Sequence, residues 1–147
     1  MNKNETLEAI LVAKKSHLDR MDKVNRRING NFEDALLLIS RTECGFGTWF
    51  YGDKRLKSML GTQFFENLEN LHSKWHLEYH KIYEIFYEHE NKKGLLSKLV
   101  GNKKISQMEL DKAKLYFSEL QTTTNELIKV IDASHRRLNA LNESYFT

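Results

Sequence analysis

No proline occurs anywhere in 147 residues, and only seven glycines punctuate the chain. Proline removes a backbone donor and clashes with the preceding turn, so its absence leaves long helices unbroken. Four stretches read as helical, three of them with apolar residues recurring at 3-4 spacing. The first predicts a helix from about Asn4 to Ile28. Leu7, Ile10, Met21, Val24 and Ile28 share one seam, with Lys14 and His17 filling its middle positions. Asn29, Gly30 and Asn31 end it. A second helix is expected to start near Phe32, because "FEDALLLIS" is apolar nearly all round and reads as buried. Gly45 and Gly47 would bend or break that helix. A third runs from about Thr62 to Asn91, with Phe65, Leu68, His72, Trp75, Tyr79, Ile82 and Phe86 on its inner face. The last runs from about Ser106 to Asn142, with Ser106 and Glu109 as a capping box. Its buried face carries Ala113, Phe117, Leu120, Leu127, Ile131, Leu138 and Leu141. Such segments predict an all-α, antiparallel four-helix bundle with room for an extra short helix, one domain over residues 1–147.

Charge and composition narrow the function classes. A net charge of +3 is too small to make nucleic acid the main partner. No apolar run approaches the roughly 20 residues of a membrane span. The opening "MNKNETLEAILVAKK" lacks the apolar stretch and cleavage site of a signal peptide. A single cysteine forms no intrachain disulfide, so a reducing cytoplasm is the expected setting.

Six histidines are more informative: His17, His72, His76, His80, His89 and His135. His72 and His76 lie one helical turn apart, and so do His76 and His80. The apolar seam separates the two pairs. With His72 at an a-type position, His76 sits at an e-type position beside the core and His80 at a solvent-facing b-type position. His17 lies on the seam of its own helix. His17, His72 and His76 are therefore expected to point inward together, and His80, His89 and His135 outward. An imidazole on such a seam is commonly a hydrogen-bonded core residue. Three of them with a lone Cys44 instead make a complete tetrahedral set for Zn²⁺. A non-haem iron site accepts the same spacing, but di-iron bundles use several inward carboxylates and paired Glu-x-x-His motifs, and Glu69–His72 is the one clear candidate. Glu69 reads either as an acceptor for an imidazole N–H or as a solvated residue.

The stretch "CGFGTW" and the pattern in "LENLHSKWH" complete a recognisable set. With a histidine in the first helix and a long closing helix, the chain resembles the chemoreceptor zinc-binding domain, a bacterial cytoplasmic sensor module. That family binds zinc through three His and one Cys. The resemblance places these at His17, Cys44, His72 and His76, the histidines that the seam selects independently. It covers nearly the whole chain. Arg20 stands where the family often has an aromatic residue, and Lys92 to Lys104 is longer than a tight connection needs. Family members usually carry a chemoreceptor coiled coil or a diguanylate cyclase as output. None is seen here, which implies a stand-alone sensor or an excised domain acting through a signalling partner.

A closed four-ligand site leaves no position for water, so no enzymatic activity is expected. Zinc would hold Cys44 as a thiolate, the most labile of the four ligands, with Gly45 and Gly47 as a hinge around it. The functional reading is a zinc-dependent regulatory module sensing zinc level or oxidants. Its rivals are a metal-independent interaction bundle, with Cys44 as packing under Trp49, and a non-haem iron bundle. Trp49, Phe50 and Tyr51 read as core or interface residues. The surplus of Tyr79, Tyr83, Phe86 and Tyr87 on the third helix suggests a homodimer. The five lysines between Lys92 and Lys104 suit a solvated loop with a short docked apolar turn, or else contact with an anionic membrane surface or acidic partner.

Overall fold

Asn2 and Glu5 start the first helix. The Asn2 side chain accepts from the Glu5 backbone N–H, and the Glu5 carboxylate accepts from the Asn2 N–H, a reciprocal capping box. Helix α1 spans Lys3–Ile28 and buries Thr6, Ile10, Ala13, His17, Met21, Val24 and Ile28. Gly30 closes it at φ +92°. The Gly30 and Asn31 N–H groups bond back to the Arg27 and Arg26 carbonyls, a left-handed closure that glycine makes without steric cost.

The computed structural model describes residues 1–92 and 105–147. No strand occurs among them; the described fold is all-helical. After α1 the structure departs from the sequence expectation. Residues 31–44 form no helix but an irregular strap. Of its large apolar side chains only Leu36 is buried, while Phe32, Leu37 and Leu38 are 54–58% exposed. Side chains from neighbouring helices supply the bonds that a helix would have made internally. The Leu36 N–H donates to the Tyr87 hydroxyl at 2.8 Å, and the Tyr79 hydroxyl donates to the Leu37 carbonyl at 2.9 Å. Arg26 pairs with the Asp34 carboxylate, and Arg27 donates to its carbonyl. The strap thus engages Tyr79 and Tyr87, two of the four aromatics whose surplus suggested a dimer from sequence alone.

Two short helices follow, α2 over Gly45–Gly52 and α3 over Leu56–Leu60. Helix α4 spans Thr62–Lys92, and α5 spans Gln107–Ala140 behind the expected Ser106–Glu109 capping box. A 3₁₀ turn, Glu143–Phe146, buries Phe146 against the bundle. The Lys-rich connection between α4 and α5 lies outside the described residues.

Cross-helix pairs fix direction and register. Lys3 donates to the Leu141 carbonyl and Lys14 pairs with Asp132, so α5 runs antiparallel to α1. Arg137 lies over Phe64, the Trp75 indole donates to Thr124, and Lys81 lies over Tyr116, so α5 is antiparallel to α4 as well. His17 meets Trp75, Arg20 meets Tyr79 and Arg27 meets Tyr87, which makes α1 and α4 parallel. Helices α1, α4 and α5 are three sides of a bundle, and α2 with α3 takes the fourth. Fully buried Ile10, Trp75, Ile82, Leu120, Leu127 and Ile131 fill its centre.

Candidate metal centre

Three elements converge on one buried point. Helix α1 contributes His17, helix α4 contributes His72 and His76, and Cys44 stands at the strap's end as the N-cap of α2. The ligand atoms of all four lie within 4.8 Å of one another. His17, Cys44 and His72 are buried, and His76 is half-buried.

Each contact has a local cause. His17 Nδ1 lies 2.8 Å from the Ala13 carbonyl one turn back. That acceptor fixes the proton on Nδ1 and leaves Nε2 with a free lone pair. His17 Nε2 is buried and has no hydrogen-bond partner. His72 Nε2 lies 3.2 Å from Cys44 Sγ and 3.0 Å from His76 Nε2. The Ile39 carbonyl of the strap accepts a hydrogen bond from His76. The Cys44 sulfur accepts from the Gly47 N–H at 3.2 Å. Phe46 packs on the His72 ring, and Trp75 meets the His17 ring edge-on, so aromatic walls hold both imidazoles.

Electrostatics favour neutral nitrogen donors. Burial, opposed by the Ala13 hydrogen bond, holds the His17 pKa at about 4. Burial first, then the neighbouring histidines and arginines, lowers His72 to about 2. Burial and the charges of His17, Arg20 and Arg41 lower His76 to about 3. Metal ligation requires such unprotonated imidazoles. Burial raises the Cys44 thiol, while the Gly47 N–H and Arg20 act in the opposite direction. A divalent cation would reverse that balance and hold the thiolate.

The residues therefore fit a transition-metal ion. An orphaned Nε2, two imidazole nitrogens in near contact and a sulfur beside them are costly as a packed core and natural around a cation. The set is nitrogen and sulfur only, which suits zinc over hard, oxygen-seeking ions.

Other expected residues fall elsewhere. His80 lies 2.6 Å from Glu84 on the exposed side of α4 and is not part of the cluster. His135 is half-buried on α5, away from it. Glu69 engages the Tyr51 hydroxyl, and His72 Nδ1 is left without a partner, so Glu69 is not the expected imidazole acceptor. Trp49 and Phe50 are core residues, whereas Tyr51 is 37% exposed. Gly47 is no hinge. A Cβ there would stand 2.8 Å from the Arg41 carbonyl carbon and overlap its oxygen. The sequence reading missed the backbone acceptors at Ala13 and Ile39, since any residue supplies a carbonyl. It also missed the contact between Arg41 and Gly47, for which the glycine inside "CGFGTW" was the one available signal.

A helical scaffold with a buried three-histidine, one-cysteine cluster defines a candidate metal-binding protein. Residues 17–83 match the chemoreceptor zinc-binding domain family, a span that begins at His17 and contains Cys44, His72 and His76. It takes in the strap, α2, α3 and most of α4 and leaves α5 outside. No curated protein and no solved structure matches the chain.

Proposed function

We propose that the chain is a zinc-binding regulatory module in which His17, Cys44, His72 and His76 hold one Zn²⁺. The observation that carries this reading is the convergence of four nitrogen and sulfur ligand atoms within 4.8 Å in a buried site, inside a segment matching a zinc-binding domain family. Four protein ligands would leave no open position, so the metal's role would be regulatory rather than catalytic. Cys44 is the switch ligand: it sits where the strap meets α2, and oxidation of its sulfur or loss of zinc would release both. The stimulus is zinc level or an oxidant. The output passes to a signalling partner in a bacterial cytoplasmic pathway such as chemotaxis or cyclic-di-GMP control.

Metal analysis of the purified protein tests the reading. One zinc per chain is expected. No bound metal would favour a metal-independent interaction bundle, and iron with a visible absorption band would favour a non-haem iron site. The module is further proposed to work as a homodimer. With Tyr79 and Tyr87 bonded to the strap, exposed Leu38 and Leu77, which line one groove beside His76, provide the apolar surface for it. Sedimentation should give a dimer at micromolar concentration, and a monomer would refute the assembly.

A further inference from the structure

A second groove runs between α1 and the strap, on the side of the strap away from His76. It encloses about 480 Å³, and Val12, Leu37, Arg20, Lys23, Lys15 and Asp19 line it. Its charges do not balance. Asp19, the one acid present, is taken by Lys15 at 3.3 Å. Arg20 and Lys23 have no carboxylate partner among the described residues. Arg20 lies with its guanidinium 6.0 Å from the Tyr79 ring. One of its nitrogens, Nη1, is buried and has no hydrogen-bond partner. A buried guanidinium N–H without an acceptor costs free energy, and the same Arg20 side chain lines a groove with a second free cation, Lys23, beside it. Apolar surface completes the lining, from Val12 on α1 and Leu37 on the strap, both 57% exposed.

We propose that this groove binds a small organic oxyanion, a carboxylate or phosphate ester on a flat apolar body. The oxyanion pairs with Arg20 and Lys23, and the body lies against Val12 and Leu37. Planar guanidinium groups take such oxyanions in bidentate fashion, and a volume of this size suits a small molecule.

Occupancy would also reach the metal centre, a consequence that rests on the zinc reading. Arg20 acts electrostatically on all four cluster residues. Zinc with one thiolate and three neutral imidazoles carries a net positive charge, which Arg20 repels. An anion on Arg20 screens that repulsion. Anion and zinc would therefore bind with mutual favour, each tightening the other by about 5-fold.

The test is calorimetric titration of the metal-free full chain with phenyl phosphate, benzoate and inorganic phosphate. Phenyl phosphate or benzoate is expected to bind at least about 10-fold more tightly than inorganic phosphate, because only they use the apolar wall; the tighter of the two identifies the oxyanion. Arg20→Gln should weaken that binding about 10-fold or more, and Arg20→Lys should restore part of it. Leu37→Asp alters only an exposed wall residue and should abolish binding with the helical spectrum intact. Equal binding of all three probes, or parental binding by Arg20→Gln and Leu37→Asp, would overturn the proposal. Zinc competition with and without saturating probe reads the coupling. An unchanged zinc affinity removes the coupling, whereas failure of the zinc reading itself leaves the metal-free titration valid.

Discussion

Cys44→Ala should weaken zinc binding by about 100-fold or more and leave the three long helices folded. The magnitude follows from the outer shell: loss of a residue that merely orients a ligand costs ~10–100-fold in metal affinity, and loss of the ligand itself costs at least as much. The helices survive because their core does not pass through the metal. Trp75, Ile82, Leu120, Leu127 and Ile131 are fully buried without contributing a ligand, unlike the core of a zinc finger, whose folding free energy is largely that of the metal. The substitution has a second effect. Cys44 caps α2 by accepting from the Gly47 N–H, and an N-cap is worth about 1 kcal/mol. Cys44→Ser separates the two roles, since its hydroxyl caps the helix but is a poor zinc ligand. His72→Ala should cost at least as much zinc affinity and also open a cavity at a fully buried position. Zinc competition and circular dichroism on the three variants make the check. Parental zinc affinity in Cys44→Ala would remove Cys44 from the ligand set, and unfolding would make the metal structural.

The long helices were legible because their signals are local and repeated. Asn29-Gly30-Asn31 and Ser106 with Glu109 mark ends that the structure closes by backbone and side-chain bonds. The seams of α1, α4 and α5 follow a 3.6-residue period over many turns. The strap was not legible, for a physical reason. "ALLLI" is apolar at every position, so it carries no period, and a continuous apolar run does not distinguish a buried helix from an extended segment. Its conformation is decided by Tyr79 and Tyr87, forty and more residues away, whose hydroxyls bond its backbone. The same contacts explain why two of the tyrosines looked surplus: Tyr79 and Tyr87 reach past the helical core to bond the strap. The cluster was more readable than the strap because helical spacing alone puts His72 and His76 on one face and turns His80 away. What spacing could not give is the depth of Cys44, which depends on α2 beginning at Gly45 where two nearby glycines suggest a break.

Gly47→Ala is expected to destabilise the protein by about 1–3 kcal/mol and to lower zinc affinity, although alanine is the better helix former. In an exposed helix the exchange would stabilise by up to ~1 kcal/mol. Here the added methyl has no room. Its Cβ would overlap the Arg41 carbonyl oxygen and stand 3.0 Å from the Thr42 Cα, both backbone atoms of the strap. Backbone cannot step aside as a flexible side chain can, so the end of the strap must move, and the cost is that of an overpacked core. Cys44 lies between Thr42 and Gly47, and its sulfur accepts from the Gly47 N–H and sits 3.5 Å from the Arg41 carbonyl. A shift at either place moves the thiol away from His72. Gly45→Ala is the matched control. It lies in the same short helix, but a Cβ there meets nothing within 4 Å, so stability and zinc affinity should stay at or slightly above the parent. Thermal melts of the metal-free proteins and zinc competition on both variants distinguish the cases. If Gly47→Ala behaves like Gly45→Ala, the strap yields freely at its C-terminal end, and close packing against α2 does not hold the Cys44 thiol in place.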